Sequence, residues 1–474
     1  MNGIRKNFIY NLFYQILTIL MPLITTPYLA RVLGADRTGN YSYAYSIAYY
    51  FVLFAMLGLN NYGNREIARC RDDIEARSRK FWSIYAMQLS TSLISLLCYI
   101  SYCFIVKRAD VISWILVLYV ISASFDINWF FWGLEEFRIT VTRNTVIKIG
   151  SVAAILLLVK SQGDLYLYTT IMASSSFLSP LLLWPYLRKR IKWIRPSFPE
   201  IITHIKPNIV LFIPVIAVSL YKVMDKIMLG SMASYSEVGF YDYSEKVIAI
   251  PIACVNALGT VMLPRMANLV ARQETDEEYR IIKKSIIVGT ALAIAMGFGL
   301  MAIGNVFVPF FYGPGYEKCE LLFYILMPSC VFLSIGNVIR TQFLIPRGKD
   351  RIFIISVVSG AVINLLVNAI LIPSLQSIGA AVGTFFAEAT VCVYQMIAVS
   401  KELPVVHYIK DIGILLIFGA VMFGFVYAIP FIGSGLVTIG IKIIVGAVVF
   451  CLLFGLKYKE ILIELFKRNS HARD

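Results

Sequence analysis

Three ionisable residues crowd into one apolar stretch of the chain: Lys222, Asp225 and Lys226 all fall within residues 207–230. Spacings of three and four place them on one face if the stretch is helical. Two cations and one anion leave that face positive after internal pairing, which suits an anionic ligand. The alternative is that all three lie near one helix end and reach for the interface. Glu388 stands in a second apolar stretch, 379–400, beside Phe385, Phe386 and Thr390. A carboxylate stem is too short to reach far, so this group is either protonated or faces a polar cavity. Both readings make it, with Asp225, a place where a proton or cation could be coupled. Asp126 opens the run Asp-Ile-Asn-Trp-Phe-Phe-Trp-Gly-Leu-Glu-Glu, unusually polar and aromatic for an apolar stretch. An interfacial belt explains Trp132 and Glu135 and accounts for Asp126 less well. Arg340 lies at the end of residues 320–345 and Arg31 at the end of 8–30. Tyr41, Tyr45 and Tyr49 recur every four residues, one stripe on a helix. A phenol combines a flat apolar face with a hydroxyl, useful for stacking on sugar rings and equally for helix packing.

The elements that must position these residues follow from composition. Of 474 residues, 59% are hydrophobic and 15% charged, with a mean hydropathy of +0.75. A soluble chain carries roughly 45–50% apolar and about 25% charged residues, so too little polar surface exists here to cover soluble domains. A helix needs about 20 apolar residues to cross a bilayer. The runs of that kind are 8–30, 41–62, 81–106, 111–134, 145–159, 165–187, 207–230, 243–264, 285–311, 320–345, 352–372, 379–400, 412–430 and 435–456. The expectation is an all-α polytopic membrane protein of about 14 spans. Residues 8–30 follow Arg5 and Lys6 but are too long for a signal peptide and lack a small-residue cleavage site, so they read as a retained first helix.

Charge fixes the expected orientation. With the N-terminus inside, 31 of the 43 Lys and Arg fall in inside segments and 6 in outside ones. That bias places both termini in the cytoplasm. The net +15 is therefore mostly a topology signal, and nucleic acid is not an expected partner. The remaining six cations, Lys148, Lys222, Lys226, Lys246, Arg340 and Lys442, lie within spans; Lys148, Lys246 and Lys442 sit near span ends and read as snorkelling. The connections average about a dozen residues, too short for a catalytic or nucleotide-binding domain, and no phosphate-binding G-x-x-x-x-G-K-[ST] loop occurs. An enzyme is thus not expected. The eight cysteines include no C-x-x-C pair, and His204, His407 and His471 fall in connecting segments, so neither a metal site nor a histidine relay is expected.

A pattern repeats about 200 residues apart. Leu33-Gly34 with Gly39, Tyr41 and Tyr43 corresponds to Leu229-Gly230 with Gly239, Tyr241 and Tyr243; Leu57-Gly58 with Arg65 corresponds to Leu258-Gly259 with Arg265. A duplication of six spans explains both matches at equivalent topological positions. The expected organisation is two pseudo-symmetric six-helix bundles, 1–200 and 201–405, around a central cavity. Residues 406–474 add two further spans and a basic cytoplasmic tail.

Several motifs carry a resemblance. The segment Leu23-Ile24-Thr25-Thr26-Pro27-Tyr28-Leu29-Ala30-Arg31-Val32-Leu33-Gly34 resembles the start of Wzx-type polysaccharide flippases. So do Asp225-Lys226-Ile227-Met228-Leu229-Gly230, Pro346-Arg347-Gly348-Lys349, Asn364 and Asn368, Gly379-Ala380-Ala381-Val382-Gly383, and the Asp126–Trp129–Gly133–Glu135 spacing. The resemblance implies the multidrug/oligosaccharidyl-lipid/polysaccharide exporter fold. It also implies transfer of undecaprenyl-pyrophosphate-linked oligosaccharide across a bacterial plasma membrane, without a cofactor. Lys222, Lys226, Arg340 and Arg31 would then attract the pyrophosphate, with Asp126, Trp129 and Tyr45 toward the glycan. Glu388 and Asp225 would couple H+ or Na+. A polysaccharide polymerase and a chain-length regulator are the implied protein partners. An ion-coupled small-molecule exporter and a lipid II flippase are the alternatives with the same fold.

Overall fold

The computed structural model describes residues 17–18, 20–106, 110–461 and 463, and every regular element among them is helical. Thirteen helices among these residues are long and apolar enough to cross a membrane. They are α1 (Gly34–Arg69), α2 (Ile74–Ile105), α3 (Val111–Gly133), α4 (Phe137–Leu158), α5 (Gln162–Leu187), α6 (Phe198–Met232) and α7 (Tyr235–Ala271), followed by α8 (Thr275–Phe311), α9 (Glu317–Leu344), α10 (Asp350–Leu375), α11 (Ser377–Val399), α12 (Val405–Tyr427) and α13 (Gly435–Lys457). The expected first span, 8–30, lies mostly outside the described residues, although residues 20–32 are helical. Gly34 follows them in a left-handed conformation (φ 80°), which ends that helix and lets α1 start afresh. Many large apolar side chains point outward, among them Leu97, Phe104, Leu157, Ile370 and Leu456. Hydrocarbon, not water, is the solvent that tolerates them. The protein is a multi-pass membrane protein.

Several helices run past their apolar stretches. Helix α4 begins at Phe137 rather than 145, and α8 begins at Thr275 rather than 285. Propensity does not stop where hydrophobicity does: Asp276, Glu277 and Glu278 extend α8 and favour its N-terminal dipole. One consequence is that Arg143, expected in a connecting segment, is a buried residue of α4.

The chain divides into two compact units, residues 1–239 and 240–474. In the first, α1 breaks at Leu57 (φ 48°) and Gly58. A Cβ at Gly58 would come within 2.6 Å of the Asn208 carbonyl oxygen, so only glycine admits this approach of α6. Helix α3 breaks at Asp126, whose side chain accepts the Asn128 amide at 2.9 Å. In the second unit the apolar core runs through α8, α9, α12 and α13. The α10–α11 pair packs on small residues, with a Cβ at Gly379 falling 2.6 Å from the Leu371 backbone and one at Gly360 2.6 Å from Val391. Within a bilayer, apolar burial between helices gains little over lipid, so close approach through glycine supplies the attraction. The Gly379–Gly383 motif is accounted for by this packing.

Candidate functional site

In the first unit the tyrosine stripe forms a connected stack. Tyr41 stacks on Tyr45 at 5.7 Å and meets the edge of Tyr168 at 4.8 Å; Tyr45 stacks on Tyr119 of α3 at 4.9 Å and donates to its hydroxyl at 3.2 Å. Tyr49 meets Tyr50 edge-on at 6.1 Å, and Tyr50 donates to the Ser219 carbonyl of α6 at 3.0 Å. These contacts lead to an open cleft of about 350 Å³, lined by Tyr49, Pro214, Val218, Ser219 and Lys222 among others. Pro214 sits inside α6, where it cannot donate a backbone hydrogen bond.

The three ionisable residues of α6 do not share one environment. Lys222 is exposed at the cleft, Asp225 is fully buried, and Lys226 is half-buried within electrostatic reach of Tyr45. The expected uniform charged face is thus graded: the carboxylate turns into the protein near Tyr50, and one ammonium is left at the opening. Tyr49 and Lys222 consequently line the cleft between α1 and α6, and Tyr45 and Lys226, within electrostatic reach of each other, lie one helical turn away from them on the same two helices. Arg31 is exposed near the end of the preceding helix.

Asp126 and Trp129 belong to a different arrangement, built around α3. Trp129 is fully buried; it stacks on Phe81 at 5.4 Å and donates to Gln88 Oε1 at 3.0 Å. Gln88 in turn donates to the Ala123 and Asp126 carbonyl oxygens at 2.7 and 2.8 Å. A buried indole with its donor satisfied holds the α3 break in place and is not exposed to a ligand. Asp126 Oδ1 accepts both nitrogens of Asn128, at 2.9 and 2.6 Å. Arg143 donates to Asn128 Oδ1 at 2.6 Å and to the Ser179 carbonyl at 2.8 Å, and its charge acts on Asp126. Arg143 supplies a cation that the span boundaries concealed.

In the second unit, Arg340 opens a π-turn of α9, where the Ile345 amide bonds the Arg340 carbonyl five residues back. Its guanidinium donates to Asn337 Oδ1 at 2.9 Å and lies 5.4 Å from the Phe353 ring centre of α10. Glu388 is buried, within electrostatic reach of Cys330 and Cys392. Lys246 is held by Asp242 at 2.7 Å, an ion pair one helical turn apart. Lys442, expected to snorkel, is instead only 1% exposed.

His204 also departs from expectation. It is buried, with Nδ1 2.6 Å from the Tyr62 hydroxyl and Nε2 2.8 Å from Ser83 Oγ. The N-terminal extension of α6 carries it inward. His407 is exposed in the first turn of α12, and His471 lies outside the described residues. Among the described residues no group of three His, Cys, Asp or Glu is placed to hold a metal.

Similarity to known proteins agrees with this architecture. The chain is 21% identical over 394 residues to an Escherichia coli (strain K12) protein named as an O-antigen transporter, covering 82% of this chain and 95% of that one. A Shigella dysenteriae protein of the same name is 24% identical over 411 residues, covering 83% and 100%. Among solved structures, the lipid II flippase MurJ in an inward closed conformation superposes with a TM-score of 0.78 at 15% identity, covering 96% of this chain and 99% of that one. An inward-facing multidrug resistance MATE family transporter of the MOP superfamily gives 0.59 at 13% identity, covering 82% and 96%. These likenesses establish the transporter fold. The family described as polysaccharide biosynthesis protein matches residues 4–270, more than half of the sequence. The chain, with its α1–α6 wall inside that match, belongs to the polysaccharide biosynthesis protein family.

Proposed function

We propose that this protein is a flippase that carries undecaprenyl-pyrophosphate-linked oligosaccharide repeat units from the inner to the outer leaflet of a bacterial plasma membrane, by alternating access, for surface polysaccharide synthesis. The observation that carries the reading is the α1–α6 cleft, where an exposed ammonium, Lys222, stands beside the Tyr49 ring. A pyrophosphate and a glycan lose hydration in hydrocarbon and need replacements. Lysines replace the counter-charge, and tyrosine faces with hydroxyls suit sugar rings. The near full-length similarity to proteins named as O-antigen transporters supports the same substrate class. The fold is shared with lipid II and multidrug transporters alike, so the fold does not choose among cargoes.

Lys222 and Lys226 are the proposed pyrophosphate contacts, with Tyr45 and Tyr49 toward the glycan. Arg340, Arg31 and Asp126 are further proposed contacts, and Trp129 supports the α3 break from within. Glu388 and Asp225, buried carboxylates in helices, are the proposed sites for H+ or Na+. A polymerase and a chain-length regulator would receive the product. The test is complementation of a bacterium lacking its own repeat-unit flippase. The wild-type gene should restore surface polysaccharide, and the Lys222→Gln/Lys226→Gln double variant should not, at equal membrane abundance. Normal output from the double variant would remove the site assignment.

A further inference from the structure

A second cleft, of about 780 Å³, opens between the start of α2 and the end of α5 in the first unit. Three of the six tryptophans of the chain line it, Trp82, Trp184 and Trp193, together with Arg188 and Lys192. It takes no part in the substrate wall of α1 and α6. The segment that flanks it, Arg188-Lys189-Arg190-Ile191-Lys192-Trp193-Ile194-Arg195, holds five cations among three apolar residues.

The segment is fixed rather than draped. Arg77 donates from Nε and Nη2 to the Arg190 carbonyl, at 3.0 and 2.6 Å. The Lys192 amide donates to Ser78 Oγ at 2.9 Å, and the Trp82 indole donates to the Lys192 carbonyl at 2.9 Å. Four bonds therefore tie residues 190–192 to the first turns of α2. Trp193 packs edge-on against Trp82 at 4.3 Å and is still 71% exposed. The Trp184 indole donates to the Phe125 carbonyl at 3.1 Å.

The charges in this segment are unequally used. Arg190 is committed to Glu136 at 2.6 Å. Arg188 and Lys192 are exposed, and among the described residues neither has an ion pair. The nearby Glu200 accepts the Ser197 amide and pairs with Arg79. Positive-inside topology explains why cations lie here, but charge alone does not require a tryptophan-lined cleft held by four hydrogen bonds. Beyond the cleft the surface turns apolar, with Leu178, Leu182 and Tyr186 exposed on α5. A ligand that fits is negative at one end and apolar at the other.

We propose that this cleft binds the headgroup of an anionic phospholipid of the inner leaflet. Arg188 and Lys192 hold its phosphate, the indoles sit at headgroup depth, and the acyl chains run along the outer face of α5. Basic pockets at the inner ends of spans and interfacial tryptophans are the two halves of such recognition. The site serves to anchor the α2–α5 end of the first unit and is independent of the transported cargo.

The test uses the full-length protein in detergent, titrated with phosphatidylglycerol or phosphatidylcholine and followed by native mass spectrometry. The wild type should retain phosphatidylglycerol in preference to phosphatidylcholine. Arg188→Gln and Lys192→Gln should each weaken that retention ~5-fold and the double variant roughly 25-fold, the worth of one and two cations near an anionic surface. The control pair Lys189→Gln/Arg195→Gln removes equal charge outside the cleft and should change retention less than 3-fold, on the order of measurement scatter. Millimolar inorganic phosphate should not displace the lipid. Equal losses in both double variants, no preference in the wild type, or displacement by inorganic phosphate would each overturn the proposal. The single variants keep it testable if the double variant fails to insert.

Discussion

Gly39 and Gly239, equivalent positions in the internal repeat, lie against each other. A Cβ on Gly39 would fall 2.7 Å from the Gly239 amide nitrogen and overlap the Tyr235 carbonyl oxygen; one on Gly239 would overlap the Ala35 carbonyl oxygen. Next to them, Ser236 donates to Asp36 at 3.3 Å, and a Cβ on Gly230 would strike the Tyr43 ring. The repeated Gly-x-Tyr-x-Tyr pattern thus marks a place where two helix starts touch through bare backbone.

This contact predicts a sharp substitution effect. Backbone cannot rotate away as a side chain can, so Gly39→Ala and Gly239→Ala should each cost about 1–3 kcal/mol of this packing. Thermal melting in detergent should fall by several degrees, and polysaccharide output should drop. Gly150, on α4 with open space around it, supplies the control: Gly150→Ala should be neutral or slightly stabilising. Tolerance of alanine at both 39 and 239 would mean that the close contact is dispensable.

The Asp126–Asn128–Arg143 network predicts coupling. Arg143→Met leaves the Asn128 and Ser179 oxygens without their donor and Asp126 without its cation. Leaving such acceptors without their charged donor costs about 1–3 kcal/mol. Adding Asp126→Asn should recover part of the loss, giving an interaction energy of at least ~1 kcal/mol in a double-mutant cycle of thermal stability. Strict additivity would show that the two residues do not sense each other.

Lys442 predicts the opposite sign. Its stem and ammonium are covered in α13, beside the core formed by α8 and α12. Lys442→Met keeps the length and removes the charge, so melting should be unchanged or raised. A fall of several degrees would show that the ammonium holds an interaction worth more than its desolvation.

Glu388 predicts an energetic rather than a structural effect. Glu388→Gln preserves size and should abolish stimulation of transport by an imposed H+ or Na+ gradient, leaving slow gradient-independent movement. Initial rates in proteoliposomes with and without the gradient decide this. Undiminished stimulation would place the coupling site elsewhere.

The helices were legible in the sequence because a bilayer demands about 20 apolar residues for each crossing and charges mark the ends. The same logic hid Arg143 and His204. Hydropathy ends a span where polarity begins, whereas α4 and α6 continue as helices and carry both residues inward. The spacing of Lys222, Asp225 and Lys226 gave a shared helix face, but not which part of that face meets the protein. Asp225 is buried whereas Lys222 is exposed at the cleft, a difference that residue spacing alone does not carry. The resemblance put Trp129 toward the glycan; the Gln88 bond that satisfies its buried indole comes from α2, some 40 residues earlier, and leaves no mark in local sequence.

Lipid transfer itself is measured by reconstituting the purified protein into liposomes with a fluorescent undecaprenyl-pyrophosphate oligosaccharide in one leaflet and following its appearance in the other. The wild type should transfer the lipid, and the Lys222→Gln/Lys226→Gln variant should lose that transfer by roughly tenfold or more while both reconstitute equally. Wild-type liposomes that move the lipid no faster than protein-free ones would contradict the proposed function.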